Sequence, residues 1–231
     1  MSLSSLQSVT REIRDVSEGR VGHLRIGVGL AISERFLSAA FAKFLDDAPG
    51  TTLKVTASDN DVMVPALKNG ELDLIVNYGW LRAPYGIVFE RLYDIDNVVC
   101  AAAGHRLARR SRVTVQDLAN ERWAWDEPSL LPQQRLREAF RDASLPPPQP
   151  GLECRPTTLL LRTVARSDLL TMISENVLRH LPDARLKVLP VKELSWRREV
   201  GYLRRDENYV PPAVQRFIRV LKLLAANAAT T

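Results

Sequence analysis

The stretch "LKNGELDLIVNYGW", residues 67–80, decides how this chain is to be read. It stops a helical pattern at Gly70, starts an apolar run beside Asp73, and leaves that run through Asn77, Tyr78 and Gly79. Leu74-Ile75-Val76 is short and partly β-branched, which predicts a central strand covered on both faces, as α/β sheets require. In open α/β sheets the ligand crevice lies beyond the carboxyl ends of the strands. Asn77 and Tyr78 therefore stand where a small molecule can be held.

Upstream, "HLRIGVG" (23–29) reads as a strand with a glycine-rich exit, and "SERFLSAAFAKFLDDAPG" (33–50) as a helix. Phe36, Leu37, Ala40, Phe41, Phe44 and Leu45 fall on one face of that helix, Ser33 is placed as its N-cap, and Pro49-Gly50 ends it. "TLKVTAS" (52–58) is a second strand, "DVMVPALKNG" (61–70) a short helix closed by Gly70, and "LDLIVNY" (72–78) a third strand. Strand, helix, strand, helix, strand at this spacing makes two βαβ units, whose crossovers impose parallel strands. The first turn, "GVGLAIS" (27–33), has the wrong glycine spacing for either common phosphate loop. A dinucleotide or ATP is not expected.

Downstream, "IVFERLYDIDNVVCAAAGH" (87–105) gives two extended runs, and then the alternation begins again. "TVQDLA" (114–119) opens a short helix, "RWAW" (122–125) is extended, and "PQQRLREAFRDA" (132–143) is a helix burying Leu136, Ala139 and Phe140. "LECR" is a strand, "PTTLLLRTVARS" a helix, "LLTMI" a buried strand, "ENVLRHL" a helix and "LKVLPV" a strand. "REVGYLRR" (198–205) and the helix "PPAVQRFIRVLKLLAANA" (211–228) close the chain. Two α/β units are expected, with the chain leaving the first, building the second and returning. A cleft between them is the expected place for a ligand.

Composition narrows the function. With 45% hydrophobic and 26% charged residues in 231, this is an ordinary globular chain, and no apolar run approaches the roughly 18 residues of a membrane span. The start "MSLSSLQSVTREIRDVSEGR" has no export-signal pattern, so a cytoplasmic location is expected. The net charge of +5 is spread along the chain and marks no nucleic-acid surface; its densest basic run, "HRLARRSR" (105–112), reads as a solvated loop. Cys100 and Cys154 form no CxxC or Cys/His cluster and read as reduced structural thiols. His23, His105 and His180 lie far apart and read as surface residues; with no nucleophile motif and no metal-ligand set, neither an enzyme nor a cofactor is expected. Near the N-terminus Leu6, Val9, Ile13 and Val16 form a short heptad-like seam, which reads either as the end of a longer coiled-coil helix or as an amphipathic helix on its own domain.

The order of "LRIGV" (24–28), "FAKFLDDAPGTTLKV" (41–55), "LKNGELDLIV" (67–76), "ERLYDIDNVVCAAAGHRLA" (90–108), "VTVQDLANERW" (113–123) and "LKVLPV" (186–191) resembles the C-terminal effector-binding domain of LysR-type transcriptional regulators. The resemblance covers about residues 20 to 225. It implies two Rossmann-like lobes joined by two crossover segments, the fold of type 2 periplasmic binding proteins. Residues 1–20 would be the C-terminal end of a linker helix, 22–94 with 195–231 the first lobe, and 95–194 the second. It also implies a small-molecule effector whose binding in the interlobe cleft alters the geometry of a homodimer or tetramer. DNA would be met only through an N-terminal winged helix-turn-helix, which this chain lacks. Ser167 and Asp168, in "VARSDLLTMI", depart from the glycine-containing loop usual in the family. An extracytoplasmic solute-binding protein of the same fold is the alternative, with an enzyme on that fold a further one.

The strand-end argument nominates effector-binding residues in both units. In the first, Ser33 opens a helix where N–H groups and a hydroxyl suit a carboxylate, or serves only as the N-cap. Asp59 and Asn60 follow the second strand; Asp59 or Asp61 alternatively caps the next helix. Asn60 falls where the resemblance implies a threonine contacting effector, and Asn77 and Tyr78 end the third strand. In the second unit the candidates are Trp125 and Asp126, with Glu127, after "RWAW", and Thr157 and Thr158 at the next helix start. Trp125 reads either as a ligand platform or as core. Only Arg155 offers a nearby charge to balance Asp59, Asp126 and Glu127.

Overall fold

The computed structural model describes residues 21–29, 32, 34–79, 84–126, 130–179, 185–207 and 209–228. The seam at Leu6 to Val16, Ser33, Glu127 and His180 lie outside the described residues. The chain forms two compact units, Met1–Asp94 with Glu199–Thr231, and Ile95–Arg198. It passes between them twice, each time within a strand.

Unit 1 is built on β1 (Val21–Gly29), β2 (Gly50–Ser58) and β3 (Leu74–Tyr78), linked by α1 (Glu34–Asp47) and α2 (Asn60–Lys68). β1 pairs in parallel with β2 from Val21↔Gly50 to Gly29↔Ser58, and with β3 from Ile26↔Leu74 to Val28↔Val76. This is the double βαβ arrangement that the spacing predicts, because a strand, a helix and a strand in one sheet close only in parallel. β3 is buried at all five positions, as its apolar run requires. Its other edge pairs antiparallel with β9 (Trp196–Arg205), Tyr78 standing opposite Val200.

Each face of the unit 1 sheet is covered by helices. On one, α1 meets α6 (Pro212–Ala228): Phe217 stacks on Phe41 at 5.8 Å between ring centres and meets Phe44 edge-on at 5.4 Å. On the other, Met63, Val64 and Leu67 of α2 join Leu72, Ile75, Ile87 and Leu203. Leu45, expected on the buried face of α1, is 41% exposed, because the helix turns its last apolar residue past the contact with the sheet.

Asp73 explains why an apolar strand opens on a carboxylate. Its oxygens accept from the Arg25 backbone N–H at 2.8 Å and from the Arg25 guanidinium at 3.1 and 2.6 Å. The Asp73 N–H donates in return to the Arg25 carbonyl at 2.8 Å. The start of β3 is thereby locked to the middle of β1. Gly70 just before it has φ +74°, a left-handed conformation that costs other residues energy, and its N–H closes α2 by donating to Leu67 O.

Unit 2 contains the latter part of β4 (Ile87–Ala102), then β5 (Arg122–Asp126), α3 (Leu130–Asp142), β6 (Pro150–Cys154), α4 (Thr157–Val164), β7 (Leu169–Ser174), α5 (Glu175–Arg179) and β8 (Leu186–Val188). β5 is parallel to β6 and β7, whereas β4 is antiparallel to β7 and β8. Trp123 and Phe140 meet edge-on at 6.4 Å in its core, with Leu136, Leu107 and Val113 around them. Across the sheet, Cys100 and Ala124 pack with Leu160, Leu161, Val164, Leu169 and Ile173. Cys100 and Cys154 are both free, and complete burial pushes the Cys100 thiol up to about 12, so it stays protonated.

Three local expectations need correction. The two extended runs over 87–105 are one strand of 16 residues, because β4 runs on from unit 1 into unit 2 without a turn. "TVQDLA" forms a 3-10 turn, Gln116–Leu118, held by the Asp117 carboxylate accepting from the Thr114 N–H and hydroxyl at 2.9 Å each. His105 is buried and not a surface residue. Its Nδ1 accepts from the Leu107 N–H at 3.2 Å, and its Nε2 lies 3.3 Å from a carboxylate oxygen of Glu121. Glu121 also accepts from Arg106, and Arg110 pairs with Asp117, while Arg106, Arg109, Arg110 and Arg112 stay exposed to solvent.

Candidate effector-binding site

The carboxyl ends of β1, β2 and β3 finish nearly level, at Gly29, Ser58 and Tyr78. That level ending follows from the registers, and it brings the first residue of α2 up to the end of β3. Asn77 and Asn60, 17 residues apart, meet there: Asn77 Nδ2 donates to Asn60 Oδ1 at 2.7 Å. Asn77 Oδ1 accepts the N–H of its neighbour Tyr78 at 2.8 Å, so both ends of this buried amide are used.

Gly29 makes the arrangement possible. A Cβ built there would lie 2.0 Å from Asn77 Oδ1, well inside van der Waals contact. The glycine-rich exit of β1, which is too irregular for a phosphate loop, is instead the space that the Asn77 amide fills. Sequence reasoning gave Gly29 no role. The available signal was a small residue directly before the candidate loop.

The remaining unit 1 candidates divide. Asp59 occupies the N-cap position of α2 with extended backbone, φ −87° and ψ 162°, but its side chain makes no capping hydrogen bond. Its carbonyl takes the Val62 and Met63 N–H groups at 3.2 and 2.9 Å. Asp61 Oδ1 accepts from the Val62 N–H at 3.1 Å. Tyr78 is buried; the burial of Tyr93 first, and then the neighbouring Tyr78, raise the pKa of the Tyr93 hydroxyl above the ordinary tyrosine value. Tyr93 in turn meets Phe36 edge-on at 5.0 Å. Tyr78 is thus part of the wall between β3, β4 and α1.

In unit 2, Asp126 ends β5 opposite Cys154 at the end of β6, and α4 starts three residues later at Thr157. Thr157 is half-buried and Thr158 exposed. Trp125 is only 8% exposed and belongs to the apolar core, with the Arg137 guanidinium 5.5 Å from its ring centre. The turn at Ser167-Asp168 closes through the Ser167 hydroxyl, which accepts from the Leu169 N–H at 3.4 Å, and through the Ser167 N–H donating to Val164 O at 3.2 Å.

A family model, the LysR substrate binding domain, matches residues 17–225. The chain belongs to the LysR substrate-binding domain family. Among curated proteins, this LysR domain is 24% identical over 178 residues to the HTH-type transcriptional regulator GbpR of Azospirillum brasilense, covering 74% of the chain and 51% of that protein. It is 30% identical over 182 residues to the HTH-type transcriptional regulator PcaQ of Agrobacterium fabrum, covering 73% and 55%. The LysR domain thus spans about half the length of the curated relatives it matches. Its fold is that of the Synechocystis PCC6803 CcmR regulatory domain in complex with 2-PG, at a TM-score of 0.78 and 18% identity, over 89% of this chain and 98% of that one. The matched span includes all of unit 2 and most of unit 1 of the LysR domain, and among the described residues no helix is long and apolar enough to cross a membrane.

Proposed function

We propose that this chain is the effector-sensing part of a DNA-binding transcriptional regulator, and that a small metabolite is received at the strand ends around Asn60 and Asn77. The observation that carries the reading is the LysR substrate-binding family match over residues 17–225. It is supported by the polar amide pair standing at the strand ends, where an α/β sheet holds its ligands. Asp59 directly precedes Asn60, and Ser33 is a further candidate by its sequence alone. In unit 2, taken by itself, Asp126, Thr157 and Thr158 stand at the end of β5 and the start of α4, and Trp125 is buried in the core.

In this reading the domain performs no chemistry and needs no cofactor. The effector acts by linkage: it favours whichever arrangement of the regulator binds it better, and by no more than that difference in affinity. The arrangement concerned is that of a cytoplasmic homodimer or tetramer, whose DNA contacts are made by a winged helix-turn-helix outside the matched span. The domain itself contributes no base contacts.

A thermal-shift screen of this domain against 2-PG, aromatic acids, sugar acids and amino acids tests the reading. A ligand that binds only the folded state at 100 times its Kd should add about 2.7 kcal/mol of stability. Asn60→Ala should then weaken that ligand roughly 2- to 12-fold, the loss of one hydrogen bond of about 0.5–1.5 kcal/mol. Undiminished affinity in the Asn60 variant would withdraw the site.

A further inference from the structure

We infer that Asn77 is a positioning residue that fixes Asn60 as a hydrogen-bond donor, so that the effector group received at Asn60 is an acceptor oxygen; this rests on the effector-sensing reading above. The two ends of a carboxamide have nearly the same shape, and only their partners tell them apart. Here the partners do so in sequence. The Tyr78 backbone N–H can only donate, so the Asn77 atom 2.8 Å from it is the oxygen. Asn77 must then turn its NH2 toward Asn60, at 2.7 Å. Two NH2 groups cannot bond each other, so Asn60 answers with its oxygen.

The result is that the orientation of Asn60 is set by a main-chain donor two steps away. Its own Nδ2 is the end of the relay, and among the described residues nothing accepts from it. Gly29 keeps the relay in place, because any side chain there would strike Asn77 Oδ1. A carboxylate, carbonyl or hydroxyl oxygen can take the free Asn60 NH2, whereas an ammonium or guanidinium group leaves that NH2 without an acceptor and can reach only the second lone pair of Asn60 Oδ1. The selection is made by Asn77, which need not touch the ligand.

Side-chain amide NMR on the 15N-labelled chain reads this directly, with Asn77→Asp as the variant. An Asp at this position still accepts from the Tyr78 N–H but offers Asn60 an acceptor. The Asn60 amide must then flip, spending its NH2 on the new carboxylate. In the native chain the Asn77 NH2 should exchange slowly with solvent and the Asn60 NH2 quickly. Dimethyl sulfoxide, a neutral acceptor, and acetate, a charged one, should each be titrated against the Asn60 NH2 signals, with guanidinium as the donor-only control. A shift with dimethyl sulfoxide alone assigns a neutral oxygen, and a shift with acetate assigns a carboxylate; guanidinium should move nothing. In Asn77→Asp the Asn60 NH2 should exchange several-fold more slowly and lose its response to the acceptors. Slow exchange of the Asn60 NH2 in the native chain, a response to guanidinium or to neither acceptor, or an unaltered Asn60 in the variant would each overturn the assignment. If the variant does not fold, the native exchange order alone decides, and a reversed order rejects the relay. A thermal-shift screen without a hit would count against the effector reading while leaving these amide signals as they are.

Discussion

The Asp73 carboxylate takes three hydrogen bonds from the single residue Arg25, one from its backbone and two from its guanidinium. The carboxylate side chain is 13% exposed, so water replaces it poorly. Asp73→Ala should therefore cost about 1–3 kcal/mol, the range for hydrogen bonds to a charged group and for a donor left unsatisfied. A urea titration checks this: the midpoint should fall while the slope stays the same. Gly29 acts at the same scale by what it lacks. Gly29→Ala forces a methyl into the space of Asn77 Oδ1 and should destabilise by about 1–3 kcal/mol, as overpacking does. The Asn77 NH2 signal should lose its slow exchange in the same variant. Of these residues, Asn60 and Asn77 stand out in the sequence by their position after strands, but their hydrogen bond does not.

At the scale of elements, α2 ends in a left-handed glycine and is then held by a distant arginine. Arg205 on β9 donates to Leu67 O at 2.8 Å and to Leu72 O at 2.9 Å, satisfying carbonyls at the helix end and in the following turn. Removing it in Arg205→Ala should loosen this turn before the whole unit. Hydrogen exchange at the Gly70 and Glu71 amides should accelerate, since these bond to Leu67 O and Ala66 O, whereas the amides of β1 should change little. The helix pair α1 and α6 behaves differently, because its contact is apolar and central. Phe217 is fully buried between two aromatic rings, and Phe217→Ala should cost about 3–5 kcal/mol by thermal or urea unfolding. The periodicities that place α1, α2 and α6 are plain in the sequence. The tie from Arg205 to α2 is not, since nothing local links residues 138 positions apart.

For the molecule as a whole, acid sensitivity follows from Glu90, which joins β4 to β9 and α6. Burial opposes its ionisation, but hydrogen bonds from Tyr202 and Lys222 and the charges of Lys222 and Arg204 outweigh burial and hold its pKa below the ordinary value. A carboxylate depressed in the folded state adds stability above its unfolded pKa, roughly 4.3, and that stability is lost as the pH falls through the folded value. Glu90→Gln should therefore be less stable than the native chain at pH 6, and the difference should shrink as the pH approaches 3. A difference independent of pH would place the stabilisation elsewhere.

What the sequence by itself determined about this protein is its series of strands and helices, the parallel βαβ order of its first half and the LysR family. Those follow from local quantities: the spacing of apolar residues, glycine and proline at the ends, and motifs in an unbroken order. The tertiary structure alone decided which polar groups meet. His105 is buried because Glu121, 16 residues on, folds over it; Asp73 finds Arg25 across 48 residues; and Asn77 orients Asn60 across 17. The last two pairs depend on strand order and register and the first on the path of the connection between β4 and β5, which bring together residues that no repeating pattern along the chain connects.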